Sequence, residues 1–347
     1  MPYRHTTAGL FGIPLPGILL PSLLGIALCT GCMDSGPREE VAVRIARIDK
    51  ARLRAHVAAL TAPGPRSVDR PNALRHSVDY LKMQLAHHGY QPVEEPVNRM
   101  AGEGDVGHAF VNILAEHPGA GAFGRILELD AHYDTVVGSP GADDNASAVA
   151  AILEIARVMA GLRLRHRVRF CFFALEETGR DGSRLHVRRI RERDEDLEGA
   201  IILEMVGYAT DRPDSQATPL RVPLLFWPPA TGDFVAVVGN FRSGGLGNRF
   251  ERAAATYVPE LPYFSANRVG GLLRDALRSD HKPYWDHDYR AIMLTDTANF
   301  RNPHYHRPED TVETLNFDFL QGVARAAAAT LLEWADPVSA AGDGGPV

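Results

Sequence analysis

Acidic and imidazole side chains stand at the ends of apolar runs in five places along the chain. These places are His132-Tyr133-Asp134, GADDN at 141–145, Glu176-Glu177, Glu204 and His306. Unpaired carboxylates at the ends of very apolar strands would be costly, and a divalent cation is the simplest compensation. Together the side chains supply two imidazoles and three or more carboxylates, enough for two zinc ions that share a bridging carboxylate. One glutamate then remains free to act as a base.

Each of these residues has an ordinary structural explanation when it is considered alone. A single histidine more often makes a hydrogen bond than binds a metal, and Asp143 or Asp144 alone would suit a helix N-cap. Glu176 and Glu177 alone would suit a solvated loop. The metal site is therefore inferred from the combination. The sequence lacks the HExxH and GxSxG motifs, so it gives no support for a zincin or a serine hydrolase elbow.

Hydrophobic periodicity predicts the elements that must position these side chains. Predicted strands cover residues 110–116, 125–134, 168–177, 199–207, 233–240 and 291–295. Predicted helices cover residues 39–60, 71–88, 145–160, 182–193, 247–256, 269–278 and 316–335. Because strands alternate with helices, we predict an α/β fold, a three-layer sandwich with a central mostly parallel mixed sheet flanked by helices. Open sheets of this kind bind ligands beyond the carboxyl ends of their strands, where the acidic segments fall.

The chain resembles the zinc aminopeptidases of the M28 metallopeptidase family in six pieces that occur in the family's order. They are HYD at 132–134, GADDNAS at 141–147, ALEETGRDGS at 174–183, LEMVGY at 203–208, SDHKPYW at 279–285 and PHYHRPEDT at 303–311. The resemblance covers roughly residues 40–336. It implies the phosphorylase/hydrolase-like zinc exopeptidase fold, which glutaminyl cyclases and glutamate carboxypeptidases share.

The resemblance also implies a metal ligand set and two zinc ions per chain. The ligands are His132, Asp144, Glu177, Glu204 and His306. Asp144 would bridge the two ions and precede a cis peptide bond to Asn145. His132 and Glu204 would complete the first site, and the remaining two ligands would complete the second. The family usually has an aspartate where Glu204 stands, so the longer side chain is expected to move or weaken the first metal.

Further residues are implied to support the chemistry. Asp134 would hold the ring of His132. Glu176 would be the general base, taking a proton from a metal-bridging water and passing it to the leaving amine. Tyr305 would donate a hydrogen bond to the tetrahedral oxyanion. Asp280-His281 match a signature that supports the site without binding metal.

Two histidines compete for one ligand position in the segment NPHYH. The family spacing places the ligand four residues before Asp310, which selects His306 and leaves His304 at the rim. We expect His281 and His287 to be structural. Six aromatic residues in predicted loops are candidates to line an apolar pocket, although packing is their default role. They are Phe226, Trp227, Phe264, Tyr284, Trp285 and Phe300.

The leading functional hypothesis is an exported zinc aminopeptidase acting on peptides with a free N-terminus. Glu176 and Glu204 are the carboxylates available to bind the substrate amine. The alternative in another reaction class is a glutaminyl cyclase with one zinc, and a third is a binding protein on the same fold. Carboxypeptidase action would need a basic cluster for the substrate carboxylate. Its candidates are Arg242, Arg268 and Arg301.

The N-terminus predicts export. Residues 1–32 combine an early basic residue with a long apolar run and end at Cys32, which indicates a signal peptide or lipoprotein signal. We therefore predict a periplasmic or membrane-anchored lipoprotein, or a secreted protein, with possible membrane attachment through lipidated Cys32. A single M28-like peptidase domain is predicted at 33–338 and a disordered tail at 339–347. Cys171, inside the apolar run VRFCFFAL, is predicted to be a buried, inert thiol.

Composition excludes several other classes of protein. The 347 residues are 45% hydrophobic and 23% charged, which is typical of a globular protein and excludes a disordered chain or a collagen. It also excludes a polytopic membrane protein. The formal net charge of −6 gives no basic field for nucleic acid, so none is expected as a partner. The oligomeric state is not predicted.

Overall fold

An eight-stranded mixed sheet runs through the described part of the chain. The computed structural model describes residues 37–97, 110–118, 124–218, 221 and 226–337. The strands are β1 Val93–Val97, β2 Phe110–Glu116, β3 Ile126–His132, β4 Arg167–Phe173, β5 Leu197–Glu204, β6 Val235–Gly239, β7 Tyr263–Ala266 and β8 Ala291–Thr295. Their order is β1-β2-β4-β3-β5-β8-β6-β7.

The centre of this sheet is parallel and its margins are mixed. Strands β4, β3, β5 and β8 pair in parallel, so their carboxyl ends share one edge of the sheet. Strands β1 and β2 add antiparallel pairs on one side, and β6 runs antiparallel to β8 on the other. The predicted mostly parallel mixed sheet is therefore confirmed.

Helices cover both faces of the sheet. They are α1 Glu39–Ile45, α2 Lys50–Thr61, α3 Pro71–His87, α4 Ala148–Met159, α5 Asp181–Glu192, α6 Gly244–Tyr257, α7 His281–Asp286 and α8 Phe317–Ala335. Helices α5 and α7 share a core with one face, and the other six share the larger core on the opposite face. The predicted three-layer α/β sandwich is confirmed.

Alternation along β4 shows how one strand serves both cores. Val168, Phe170 and Phe172 belong to the larger core, whereas Cys171 and Phe173 belong to the smaller one. Because successive side chains of a strand point to opposite faces, a nearly continuous apolar run is required here. Cys171 is a fully buried free thiol, as predicted.

Two predicted helices differ from the structure. The helix predicted at 39–60 is divided into α1 and α2, because the side chain of Asp49 accepts a hydrogen bond from the Arg52 amide and caps a new start. The helix predicted at 269–278 is instead two short 3₁₀ turns, Gly270–Leu272 and Arg274–Leu277. Two consecutive glycines in this segment disfavour a continuous α-helix.

Three elements were not predicted. Strands β1 and β7 lie at the two margins of the sheet, and β1 contains Pro96 and two glutamates. Polar residues and proline are tolerated in edge strands, where part of the backbone is unpaired, so the usual strand pattern is weak. Helix α7 has only six residues, too few to show a helical period.

Residues 1–32, including Cys32, and the tail at 339–347 lie outside the described residues. All described residues lie within the domain predicted at 33–338. The predictions of a signal and of a disordered tail therefore stay predictions. Within the described ranges, every helix is too short or too polar to cross a lipid bilayer.

A buried carboxylate on α4 ties that helix to α2. Glu154 is fully buried and accepts hydrogen bonds from Arg52 Nε at 2.8 Å and Arg157 Nε at 2.7 Å. It also accepts from the Asp49 amide at 3.1 Å, and His56 Nε2 lies 3.7 Å away. Burial raises the pKa of Glu154, but these donors outweigh burial and hold it well below the usual range.

Substituting Glu154→Gln is expected to lower the free energy of unfolding by about 2 kcal/mol at pH 7, because two arginines lose a buried charged acceptor. The folded-state pKa is depressed, so this contribution is fully present above the unfolded pKa of about 4.3 and is lost as pH falls below it. Urea unfolding at pH 7, 5 and 3 should show the gap to wild type shrinking at low pH. Exposed Glu192→Gln is the control, and a gap independent of pH would contradict the assignment.

Candidate metal centre

Parallel strands bring the first two candidate ligands together. His132 is the last residue of β3 and Glu204 is the last residue of β5. The two strands are adjacent and parallel, so both side chains emerge at the same edge of the sheet. His132 Nε2 lies 3.4 Å from Glu204 Oε1 and 3.4 Å from Asp144 Oδ1. One trio of possible ligands is therefore assembled from three separate segments.

A second trio shares Asp144 with the first. His306 Nε2 lies 3.2 Å from Asp144 Oδ2 and 3.2 Å from Glu177 Oε2. Asp144 thus faces one histidine with each of its two carboxylate oxygens. All five predicted ligands are brought together, with Asp144 in the position of a bridge between two sites.

The donor set fits zinc. The ligand atoms within each trio all lie within 4.8 Å of one another. Nitrogen and oxygen ligands of a tetrahedral zinc, at about 2.0–2.1 Å from the ion, are about 3.4 Å apart. The histidine-to-carboxylate distances match this spacing. In addition, Glu177 Oε1 is buried without a hydrogen-bond partner among the described residues, as expected of an atom directed at a cation.

Asp144 lies in an irregular helical turn, Ala142–Ser147, that leads into α4. Its peptide bond to Asn145 is cis, as the resemblance implied. The carboxylate of Asp310 accepts the amide protons of Asp143 at 2.9 Å and Asp144 at 3.1 Å. The spacing of Asp310 in the sequence indicated which histidine joins the site, but not that its carboxylate holds the backbone of the candidate bridging residue Asp144.

The two adjacent glutamates sit on a turn beyond β4. The strand predicted at 168–177 ends at Phe173, and the backbone at Leu175 takes a positive φ of 62°. The amides of Glu176 and Glu177 donate to the carboxylate of Asp134 at 3.1 and 3.2 Å. A turn is required here because a strand would point consecutive side chains to opposite faces.

Asp134 also faces the ring of His132. Its Oδ1 lies 3.5 Å from His132 Nδ1, and its backbone oxygen lies 3.2 Å from the same nitrogen. With Nδ1 turned toward these acceptors, Nε2 points into the cluster of carboxylates. The geometry agrees with the predicted role of Asp134 in holding the ring.

Glu204 reaches the cluster and is itself anchored. Its Oε2 accepts a hydrogen bond of 2.6 Å from Ser279 Oγ, while Oε1 faces His132. The expectation that the longer side chain moves or weakens the first metal stays a prediction, but the extra length is used to reach a hydroxyl. Ser279 belongs to the motif SDHKPYW, but nothing in the sequence indicated that its hydroxyl contacts Glu204.

Asp280 and His281 are buried, and neither forms a hydrogen bond or ion pair with a predicted ligand. Ser183 Oγ donates to Asp280 at 2.5 Å, and burial raises the pKa of Asp280 to about 7. The ring of His281 lies 2.6 Å from the Ala276 carbonyl through Nε2, and burial lowers its pKa to about 3. Both therefore act as packing and hydrogen-bonding groups.

The charges of the cluster depend on one another. Burial alone lowers the pKa of His306, but Asp144 and Glu177 raise it to about 10. The carboxylates around His132 likewise outweigh burial and raise its pKa well above the usual value. Burial raises the pKa of Asp144, yet the two histidines hold it well below normal. The histidines and carboxylates therefore stabilise each other's charged forms, and binding of a metal would release the protons that the raised pKa values favour on the histidines.

Glu176 and Tyr305 line a cavity that the ligands also border. Burial raises the pKa of Glu176 well above its usual value, against the opposing effect of His132. The ring of Tyr305 stacks on His306, with ring centroids 3.7 Å apart and an angle of 23° between planes. Burial raises the pKa of the Tyr305 hydroxyl, so it stays protonated and able to donate.

His304 lies outside both trios. Its amide donates to Asn302 Oδ1 at 2.8 Å, and its ring makes an edge contact with Tyr208. The structure thus places His306, and not His304, among the carboxylates. This agrees with the choice made from the spacing to Asp310.

An apolar cavity of about 160 Å³ extends from the candidate ligands. Its apolar walls include Phe226, Phe234, Val238, Phe264, Leu273 and Met293. Of the six aromatic candidates, Phe226, Phe264 and Phe300 line this cavity. Trp227 is exposed, Tyr284 is buried beneath the sheet, and Trp285 packs against the cores instead.

A third group of potential ligands has another explanation. Glu128, Cys171 and His186 lie close together in the smaller core. Arg169 Nη1 already donates to Glu128 at 2.8 Å, and His186 lies between Glu128 at 3.1 Å and Glu95 at 3.3 Å. Cations of the protein itself therefore balance these carboxylates.

Comparison with known proteins places the chain in a family. The sequence profile described as Peptidase family M28 matches residues 112–331. The protein YfbL of Escherichia coli is 35% identical over 267 residues, 73% of this chain and 78% of its own length. A probable zinc metalloprotease of Leptosphaeria maculans is 24% identical over 338 residues, 87% of this chain and 78% of its own.

Solved structures show the same fold. The LapA aminopeptidase of Legionella pneumophila has a TM-score of 0.65 at 20% identity, covering 87% of this chain and 76% of its own. A glutaminyl cyclase of Porphyromonas gingivalis has a TM-score of 0.61 at 21% identity, covering 82% and 98%. At these identities the likeness concerns the fold alone.

The structure predicts that His306→Ala lowers the zinc bound per chain, because one trio loses its only imidazole. His304→Ala is the matched control two residues away and should retain the wild-type content. Elemental analysis of dialysed protein checks both. Equal zinc loss in the two variants would contradict the ligand assignment.

Proposed function

The chain belongs to peptidase family M28, and on that premise we propose that it is an exported aminopeptidase that uses two zinc ions. As a member of the family it is a zinc metallopeptidase, a hydrolase. The proposed reaction removes the N-terminal residue of a peptide. The observation that carries the proposal is the pair of ligand trios sharing Asp144, beside Glu176 in the wall of an apolar cavity.

The ligand positions support two zinc ions. His132, Asp144 and Glu204 would hold the first, and Asp144, Glu177 and His306 the second. When bound, the ions supply an activated water and polarise the scissile carbonyl. The chain's own residues then position the substrate and move the proton.

Glu176 is the proposed general base. It lines the cavity next to Glu177, and its amide is fixed by Asp134. Its carboxylate would take a proton from the attacking water and deliver it to the leaving amine. The raised pKa of the buried carboxyl in the protein alone is favourable for a group that must both accept and release a proton.

Tyr305 is the proposed donor to the oxyanion of the tetrahedral intermediate. Its ring is held by stacking on His306, and its hydroxyl stays protonated because burial raises its pKa. A donor fixed before the reaction costs no reorganisation as charge develops on the carbonyl oxygen.

The cavity supports recognition of an N-terminal residue with a large apolar side chain. Its acidic end, with Glu176 and Glu204, offers carboxylates for the free amine. Its apolar walls are built from β6, β7 and β8, with aromatic side chains from the connecting loops. Apolar walls with a few convergent polar groups are typical of small-ligand sites.

The three arginines considered for a carboxypeptidase lie elsewhere. Arg242 pairs with Asp288 at 3.2 Å, and Arg268 contacts Asn248 at 3.3 Å. Arg301 is buried over the ring of Phe234. Among the described residues none of the three lines the cavity, so they give a carboxypeptidase no support. The arginine that does line the cavity is Arg278, and its Nη2 already donates to Asn299 Oδ1 at 2.5 Å.

A glutaminyl cyclase is the alternative that experiments must distinguish from the aminopeptidase. It would use one zinc, whereas both trios are complete here, as is the base. Complete ligand sets also disfavour a binding protein that has lost catalysis.

Export and the partner also belong to the proposal. The apolar run and Cys32 within residues 1–32 support a signal peptide, with lipidation of Cys32 or cleavage and secretion as the two routes. The proposed partner is a peptide with a free N-terminus. The net charge of −6 gives no support for nucleic acid.

Glu176→Gln is expected to reduce kcat on leucine p-nitroanilide by about 10²–10⁴-fold while zinc content stays at the wild-type level. The variant keeps the shape of the side chain but cannot take a proton. Exposed Glu192→Gln should have wild-type activity. Wild-type protein with one zinc ion and no anilide hydrolysis, but with cyclisation of an N-terminal glutamine peptide, would replace the aminopeptidase by the cyclase.

Ala266→Leu is expected to lower kcat/KM for leucine and phenylalanine anilides by about tenfold or more, because added carbon atoms occupy the cavity. Alanine anilide should be affected much less. Exposed Ala255→Leu makes the same change outside the cavity and serves as the control. An equal loss for large and small substrates would contradict the assignment of the cavity to the N-terminal side chain.

A further inference from the structure

Arg66 is a fully buried arginine in the connection between α2 and α3. Its guanidinium donates to the carbonyl oxygens of Tyr133 at 2.7 Å, Pro140 at 2.7 Å and Gly141 at 2.8 Å. Its main chain adds two more bonds, since its amide donates to Thr135 Oγ1 and its carbonyl accepts from the Thr135 amide. One residue therefore binds both ends of the segment 133–141.

The segment that Arg66 spans joins two metal ligands. Tyr133 directly follows His132, and Gly141 lies three residues before Asp144. The guanidinium is planar and its donors are fixed relative to one another. Its three bonds therefore constrain the separation of the backbone beside His132 from the backbone leading to Asp144.

The charge of Arg66 has no carboxylate within ion-pair distance among the described residues, and its hydrogen bonds go to neutral carbonyls. Burial lowers its pKa to about 10, while Asp310, Asp144 and Asp134 act in the opposite direction. A buried cation is costly unless nearby charge compensates it. Here the compensation comes from the carboxylates of the metal cluster, at longer range.

Packing leaves this arrangement little freedom. Gly141 has a φ of +64°, and a Cβ placed there would lie 2.2 Å from the Asp144 carbonyl oxygen and 2.3 Å from Thr135 Cγ2. The same Cβ would lie 3.0 Å from Arg66 Nη2. The backbone of the ligand segment is thus packed directly against the guanidinium.

We propose that Arg66 is a positioning residue that sets the distance between His132 and Asp144 and thereby the zinc affinity of the first site. This inference rests on the proposed two-zinc function. The first site needs both ends of the segment 133–141 that Arg66 binds. The second site shares only the end that leads to Asp144 and takes Glu177 and His306 from segments to which Arg66 donates no hydrogen bond, so it should depend on Arg66 less.

The test isolates each zinc site in turn. His306→Ala leaves the first site, and His132→Ala leaves the second. Arg66→Lys, which keeps the charge but loses the planar fork, is introduced into each background. Zinc titration of the metal-free proteins against a competing chelator then gives each affinity. We expect a loss of about tenfold or more in the His306→Ala background and less than twofold in the His132→Ala background.

Arg169→Lys is the matched control. Arg169 is also buried and donates to Glu128 at 2.8 Å and to Glu116 at 2.7 Å, away from the zinc ligands. Its replacement should lower the thermal unfolding temperature while leaving both zinc affinities unchanged. This separates a loss of stability from a loss of positioning. Thr135→Val, which removes the acceptor of the Arg66 amide, is a second variant if Arg66→Lys does not fold, and should give the same unequal effect.

Equal losses in the two backgrounds, unchanged affinities in both, or the same unequal effect from Arg169→Lys would each overturn the role of Arg66. Wild-type protein that binds fewer than two zinc ions in the same titration would instead overturn the proposed two-zinc function. The two failures are therefore distinguished by the wild-type measurement.

Discussion

The arrangement of the site depends on the carboxylate of Asp144, which must face two histidines at once. Each of its oxygens lies within 3.4 Å of a different imidazole nitrogen. Such a group can be buried only if its charge is compensated and its backbone is held firmly. The parallel centre of the sheet meets the first need by bringing imidazoles and carboxylates to one edge. Hydrogen bonds to the surrounding turns meet the second.

Much of this could be predicted from the sequence, because the candidate ligands lie in short motifs beside strongly apolar strands. The strands predicted at 125–134 and 199–207 contain His132 and Glu204, but they overrun the ends of β3 and β5, because buried residues continue past both. The position of Glu176 was less predictable, since the apolar run continues past the last paired residue, Phe173. The turn there depends on the amide bonds to Asp134, a contact that hydrophobic periodicity does not report.

Supporting residues were the harder part of the site. Ser279 donates one hydrogen bond to Glu204, and the carboxylate of Asp310 accepts two from the amides of Asp143 and Asp144; all of these partners are more than 70 residues away in the sequence. Arg66 binds backbone carbonyls, which have no side-chain identity that a sequence pattern can reveal. The cavity walls were only partly predictable. Strands β6 and β8 were predicted, but the edge strand β7 was not, and the aromatic residues of the loops divide between the cavity, the cores and the surface.

Because the ring of Tyr305 stacks on His306, the orientation of the phenol depends on the same imidazole that is a candidate metal ligand. The imidazole ring is both a candidate ligand and the surface that orients the neighbouring phenol. Truncating His306 would therefore remove a donor atom and at the same time release the phenol from its fixed direction. The loss of activity in such a variant would combine the loss of a metal ligand with the loss of phenol orientation. Comparing it with a Tyr305 variant and with the double variant of Tyr305 and His306 separates the two effects.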